Sequence, residues 1–443
     1  MSADAHRSAD VDGALPLGAE MPEGARFVGP LPGLVAGWKG RDFPADEDLN
    51  MCVACGLCLP HCPTYRLTGE EPASPRGRIA AMRLVGEGRA DVDSTFARFM
   101  DLCLTCRACE DVCPSRVPYG RMMERARVQT EPLHSRRTRL LLWLGLDVAL
   151  PHKHLLWLAA AFQPLATPFL PRRVRALVPK RSELLARLPG TTEPQGEARG
   201  TVAILSGCVQ DRWYRSANRA TIRVLARNGW QVVVPPKQAC CGALAAHYGR
   251  LDTARGQAEQ TIRAFEGYDR IVVNGAGCGA HMKEYGELLG TDEARAFSAK
   301  VRDLMEFLHD EGVEPPSGGL GSGSERTVVA YHDACHALRA QGIREQPRAI
   351  LRWIPGLELV DIPNGDRCCG AAGLYNVLQP EMSGALMRQK AEAIASTGAT
   401  VVVSANPGCT MQIATGLRAI GKDIEVLHPV EILDRAYRKG ARP

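Results

Sequence analysis

The sequence predicts an α/β protein in which a helical N-terminal module precedes two copies of a parallel-sheet domain. Three observations predict it. Eight of the sixteen cysteines fall into two copies of one run, C-x2-C-x2-C-x3-C-P: Cys52, Cys55, Cys58 and Cys62 before Pro63, then Cys103, Cys106, Cys109 and Cys113 before Pro114. The other eight form two further matching sets, offset by 127, 128 and 131 residues. In each of those sets a short apolar, β-branched run leads to the first and the last cysteine, with helical stretches between.

The chain has 443 residues, a length for two to four domains at roughly 100–200 residues each. Apolar residues make up 45% and aromatic residues 5%, an ordinary composition for a chain with a buried core. Residues 1–40 are rich in Ala, Gly, Pro and Asp and read as a mobile extension. They show no charged segment leading into an apolar one, as a secretory signal requires. The cysteine runs need thiolates kept reduced, so a cytoplasmic setting is expected.

Residues 41–130 hold the first eight cysteines. Their spacing is that of bacterial ferredoxins, in which a compact turn sets three thiolates on a [4Fe–4S] cube and the fourth reaches the other cluster. The first cluster is therefore expected on Cys52, Cys55, Cys58 and Cys113, and the second on Cys103, Cys106, Cys109 and Cys62. Structural zinc is the alternative, but a doubled three-plus-one pattern does not suit ligands arranged in tetrahedral pairs. A module of this kind moves electrons.

Residues 131–198 read as a basic helical linker. From Arg116 to Arg181 there are 13 Lys or Arg against Glu124, Glu131 and Asp147. The apolar stretches Leu140 to Leu150 and Leu155 to Leu170, which carry Asp147, Pro164 and Pro168, are too short to span a bilayer. Helices apolar on one side and basic on the other read as membrane-surface or partner-docking elements; a solvated linker is the plain alternative. No basic–aromatic motif accompanies the charge, so nucleic acid is not expected as a partner.

The second half is a duplication, residues 199–316 and 327–438 joined by a flexible Gly/Ser linker over 317–326. One set is Cys208, Cys240-Cys241 before Gly242, and Cys278; the other is Cys335, Cys368-Cys369 before Gly370, and Cys409. TVAILSGC (201–208) answers TVVAYHDAC (327–335), and RIVVNGAGC (270–278) answers TVVVSANPGC (400–409). Helices are expected over Arg212–Arg227, Thr253–Phe265, Arg344–Trp353 and Glu381–Thr397. Ligands of parallel sheets gather outside the carboxyl ends of the strands, where Cys208, Cys278, Cys335 and Cys409 fall. Each set is expected to converge at its own crevice, the two related by a pseudo-twofold axis and each suited to a metal or cluster. Gly242 and Gly370 would let the backbone approach such a cluster. His247 and His332 are candidates for additional ligands. Buried structural cysteines are one alternative, and a thiol catalyst at Cys335 with His332 or His336 as base is another.

The Cys-Cys-Gly sequences make the second half resemble the CCG domain, found twice in the catalytic subunit of heterodisulfide reductase. A two-[4Fe–4S] ferredoxin module before two CCG domains is the layout of the iron–sulfur subunits of several flavin dehydrogenases. The stretches CVACGLCLPHCPTYRLTGEEPASPRGRI (52–79), CLTCRACEDVCPS (103–115), GCGAHMKEYG (277–286) and SANPGC (404–409) resemble the glycolate oxidase iron–sulfur subunit family. The resemblance covers about residues 45–438. It departs from the full CCG pattern at Gly275 and Asn406, where a closing C-x-x-C would place one more cysteine. Each site thus keeps four thiolates of five, which leaves an ordinary cluster, a single metal ion or an empty scaffold open.

The resemblance implies an electron-transfer subunit of a glycolate or D-lactate dehydrogenase. Flavin-containing partner subunits would carry FAD and oxidise the 2-hydroxy acid, glycolate giving glyoxylate. Two [4Fe–4S] clusters on this chain would pass the electrons towards a quinone or similar acceptor. No catalytic residue is expected here, and G-x-G-x-x-G follows no candidate strand. Localisation is expected to be cytoplasmic and peripheral, on the inner face of the cell membrane. The rivals are the iron–sulfur subunit of anaerobic glycerol-3-phosphate dehydrogenase and a thiol–disulfide oxidoreductase, the latter opposed by the missing fifth cysteines.

Overall fold

The protein is described from a computed structural model covering residues 37–170, 187–320 and 326–440, with Arg175 and Val178. Most of the expected N-terminal extension, part of the basic segment and the centre of the Gly/Ser linker lie outside those residues.

The ferredoxin part is built of short helices started by local chemistry. Helices Pro63–Thr68 and Pro75–Gly86 each open on a proline, whose missing N–H costs nothing at that position. Ser74 Oγ accepts from the Gly77 N–H at 3.0 Å, and Asp93 caps helix Ser94–Asp101 by accepting from the Phe96 N–H at 2.7 Å. Helix Tyr119–Thr130 packs against Ser94–Asp101, burying Met82, Met100, Met122 and Met123 completely. After it come helix Arg136–Leu142, a π-helical turn over Trp143–Ala149, and helix Lys153–Ala166.

Among the described residues, nine strands form two sheets. The first holds β1 (Thr191–Thr192), β2 (Gly200–Leu205), β3 (Trp230–Val233), β4 (Ile271–Val273) and β5 (Val301–Asp303) in the order β1-β3-β2-β4-β5. The second holds β6 (Thr327–His332), β7 (Leu357–Asp361), β8 (Val401–Ser404) and β9 (Glu425–Leu427) in the order β7-β6-β8-β9. Apart from β1 the two orders are the same and every pairing is parallel, as a duplicated α/β unit requires. The exception corrects the sequence reading. β1 lies in the stretch read as linker, yet it pairs antiparallel with β3, Thr191 opposite Val233.

The repeats pack reciprocally. Helix Arg215–Arg227 of the first lies on the closing helix Pro429–Gly440 of the second, and closing helix Leu304–Glu311 of the first lies on Glu345–Arg352 of the second. Contact of i with j and of the counterparts j with i is the signature of a pseudo-twofold axis. One core results, in which Val202, Ile204 and Phe307 join Val329, Tyr331 and Leu433. Arg223 clamps Asp434 across it with two hydrogen bonds, of 2.8 and 2.7 Å. The start of the Gly/Ser linker is packed rather than flexible: the Leu320 N–H donates to Pro355 O at 3.1 Å, and a Cβ on Gly318 would lie 2.2 Å from the Gly440 nitrogen.

Candidate iron–sulfur and cysteine sites

The two ferredoxin runs adopt one backbone form. Ala54 and Gly56 have φ of 55° and 85°, and the corresponding Thr105 and Arg107 have 50° and 59°. Non-glycine residues pay strain for left-handed φ, so its repetition in both loops marks a built site. Cys52, Cys55, Cys58, Cys109 and Cys113 line one cavity. Cys62 instead is buried, 3.1 Å from Thr64 Oγ1, and interacts electrostatically with Cys109 as well as Cys58. The Thr105 N–H donates to Cys103 Sγ at 3.3 Å. All eight sulfurs are free, and burial pushes Cys58 up to about 11 and Cys106 up to about 12. Such thiols keep their protons until a metal displaces them. The donor set fits cubane iron–sulfur clusters.

The CCG cysteines converge as well. Cys240 Sγ lies 3.4 Å from Cys208 Sγ, and Cys241 reaches both Cys240 and Cys278. In the second set Cys335, Cys368, Cys369 and Cys409 follow one another in contact. Each strand-end cysteine sits where a helix begins: Cys208 before Val209–Trp213, Cys278 in Ala276–Lys283, Cys335 in Cys335–Leu338 and Cys409 in Pro407–Ala419. Separate crevices were expected. Instead both sets line a single cavity of about 480 Å³, because the pseudo-twofold axis turns the carboxyl ends of the two sheets toward each other.

Comparison with known proteins agrees with this layout. The 4Fe-4S dicluster domain family matches residues 48–117, and the cysteine-rich domain family, CCG, matches 202–283 and 329–414. The probable glycolate oxidase iron-sulfur subunit of Bacillus subtilis (strain 168) is 35% identical over 420 residues, 88% of this chain and 94% of its own length. The glycolate oxidase iron-sulfur subunit of Escherichia coli (strain K12) is 33% identical over 416 residues, 90% of this chain and 97% of its own. The chain belongs to the glycolate oxidase iron–sulfur subunit family. Lactate utilization protein A of Geobacillus sp. (strain WCH70) is 32% identical over 238 residues, 53% of this chain and 98% of its own. As a family member the chain is an oxidoreductase subunit that carries electrons on iron–sulfur clusters.

Several residues that serve these family sites were not singled out from the sequence. Arg78 is 1% exposed, donates to Phe99 O at 2.7 Å, and donates to the Thr64 hydroxyl that touches Cys62. A buried cation beside the cysteines favours the reduced, more negative state of a cluster held there. Arg127 holds the Cys103 carbonyl and also donates to His247 O at 2.6 Å, while Tyr375 donates to Leu102 O at 2.9 Å. The second run is thereby fastened to both CCG domains. Cys106 packs beside Cys335 and Cys368, so the ferredoxin module abuts the shared cavity.

The histidines divide. His332, 1% exposed with neither ring nitrogen partnered, lies with Cys369 and Cys409, their donor atoms within 4.8 Å of one another. The equivalent position of the first repeat, 127 residues earlier, is Leu205. His247 is instead hydrogen-bonded to Glu124 at 2.7 Å and stacks on His336, ring centroids 5.1 Å apart. Burial pushes its pKa down to about 3, so the ring is neutral. Gly242 and Gly370, with φ of 90° and 85°, serve helix packing: a Cβ there would lie 3.1 Å from Ala254 O and 2.8 Å from Ser383 O.

Proposed function

We propose that this chain is the electron-transfer subunit of a membrane-associated glycolate dehydrogenase that also accepts D-lactate. Flavoprotein subunits carrying FAD oxidise the 2-hydroxy acid, and the electrons leave through this chain to a quinone. Two [4Fe–4S] clusters, on Cys52, Cys55, Cys58 and Cys113 and on Cys103, Cys106, Cys109 and Cys62, supply one-electron carriers when bound. The CCG sets, Cys208, Cys240, Cys241 and Cys278 with Cys335, Cys368, Cys369 and Cys409, bind metal or a further cluster.

One observation carries the reading: the cysteines form a graded line. Cys55 is exposed at one end, Cys106 is buried, and Cys106 touches Cys335 and Cys368 at the wall of the inner cavity. Electrons entering at the surface have a covered way inward. The protein's own part is to hold the sulfurs, exclude water and set potential through Arg78, Thr64 and the backbone N–H of Thr105.

Membrane attachment is supported by the segment after Arg136. No helix among the described residues is long and apolar enough to cross a membrane. Yet Trp143, Leu144, Trp157, Phe162, Leu165 and Phe169 are all exposed, close in sequence to Arg136, Arg137 and Arg139. The reading is tested by adding glycolate and the flavoprotein subunits to the anaerobically prepared chain. Bleaching of iron–sulfur absorbance, with EPR signals of two reduced [4Fe–4S] centres, is expected. An unbleached chain overturns it.

A further inference from the structure

We infer that a separate pocket, walled by Arg66, Arg339, Arg367 and Lys390 where the ferredoxin module meets the second CCG domain, binds a small, doubly charged oxyanion of the inorganic phosphate class.

Both modules contribute to the wall. Helix Pro63–Thr68 of the ferredoxin part, which carries Arg66, packs on helix Pro380–Ala395 of the second CCG domain, which carries Lys390. Arg339 and Arg367 join them, with His61 and Asn364 beside them. This space is not one that a cluster would fill. None of the eight ferredoxin cysteines lines it, and of the second CCG set only Cys368 does. Cys335, Cys369 and Cys409 line the cavity between the repeats instead. The volume is about 150 Å³, against about 300–1,000 Å³ for sites that take drug-sized ligands, so the ligand is small.

The charges select its class. Four cationic side chains and no Asp or Glu line the pocket. Arg339, whose side chain is 4% exposed, is answered by Asp366 at 3.2 Å, and its Nε has no hydrogen-bond partner. Lys390 is 3% exposed and makes no ion pair among the described residues; it donates to Asn364 O at 3.3 Å and Gly365 O at 2.9 Å, which leaves one of its three N–H bonds for a ligand. Its charge lies within electrostatic reach of the sulfurs of the second CCG set. Arg66 and Arg367 are the two charges left over. Neither guanidinium makes a hydrogen bond or ion pair among the described residues. Partial burial and, after it, the charge of Arg367 lower the pKa of Arg66, so the two stand close enough to oppose each other. Guanidinium forks match the oxygens of phosphate, and a dianion answers both charges where a monocarboxylate would leave one unmatched. Held from both modules at once, the anion would also brace the ferredoxin module against the second CCG domain.

The test is calorimetric titration of the anaerobically prepared full chain with inorganic phosphate, ionic strength being held constant with chloride. Saturable binding of one phosphate per chain is expected, with a melting temperature that rises with phosphate concentration. Arg66→Gln and Arg367→Gln, both at exposed positions, should each weaken binding about tenfold or more, since each removes a charge-assisted contact. Retained iron–sulfur absorbance shows that the variants are folded. Glycolate, a monocarboxylate, should bind at least about tenfold more weakly than phosphate. A response that chloride reproduces, or phosphate binding that both substitutions leave unchanged, overturns the site. Glycolate binding as tightly as phosphate overturns the assignment to a dianion.

Discussion

Asn406 Nδ2 donates to Cys409 Sγ at 3.5 Å, while Asn406 Oδ1 accepts from the Gly277 N–H at 3.3 Å. One side chain therefore ties a sulfur of the second CCG set to the backbone beside Cys278 of the first. In the full motif this position would be a cysteine; here the amide has become a bridge between repeats. Asn406→Ala should lower unfolding stability by about 1–2 kcal/mol through the loss of two partly buried hydrogen bonds. Urea denaturation of the two proteins measures this, and equal midpoints would show that the bridge adds nothing.

Crossed ligation makes an asymmetric prediction. Cys62→Ser should impair the cluster centred on Cys103, Cys106 and Cys109 and spare the one on Cys52, Cys55 and Cys58. The buried Cys62, apart from the cavity that Cys113 shares with the first run, is the structural reason. EPR of the reduced variant decides it, and loss of the cluster on its own run refutes the crossed assignment.

The ferredoxin module and the duplication were legible because metal ligation and internal repetition leave fixed spacings in the sequence. What escaped depends on contacts between distant segments. Glu124 and His247 are 123 residues apart, and nothing local in either sequence announces their hydrogen bond. The shared cavity follows from how one repeat's helices pack on the other, which no single strand or helix encodes. β1 is two residues long, too short for any alternation to be read. Arg78 sits in a helix whose polar residues look solvated, yet its guanidinium is buried on the phenylalanine carbonyl of the next helix.

His332 makes the two CCG sites unequal, since Leu205 holds its place in the first repeat. His332→Leu should lower metal content at the second set and leave the first set unaffected, the lost ligand being the only change. The difference in metal content between chains with and without His332→Leu, both carrying serines at Cys240-Cys241, isolates the second site. Unchanged metal content there would remove His332 from the ligands.

His428 gives a pH dependence with a definite sign. Its Nε2–H donates to Asn274 O at 2.8 Å, and its Nδ1 accepts from the Val430 N–H at 3.1 Å, so the neutral ring is the form the site holds. Burial pushes its pKa down to about 4 from the ordinary 6.5. A lowered value means that the unfolded chain takes up the proton more readily. The ring's contribution is complete above about pH 6.5 and is lost as pH falls toward 4. Between about pH 7.5 and about pH 5 the natural chain should lose roughly 2 kcal/mol more stability than His428→Gln. Parallel pH slopes for the two would contradict the burial argument.

Membrane attachment should have two separable parts. Arg136, Arg137 and Arg139 lie at the start of the segment, and each basic residue near an anionic surface contributes about 1 kcal/mol, screened by salt within a Debye length. Phe162, Leu165 and Phe169, exposed at 58%, 70% and 90%, would gain from entering the apolar layer, at up to about 1.5–3 kcal/mol for each side chain fully buried. With those residues exposed, salt should weaken binding without abolishing it. Phe162→Glu with Leu165→Glu should abolish the salt-resistant fraction, and Arg136→Gln with Arg137→Gln only the salt-sensitive one. Co-sedimentation of the full chain with vesicles containing anionic lipid, at low and high salt, measures both. Binding that ignores all four substitutions would mean that another surface, or a partner subunit, makes the attachment.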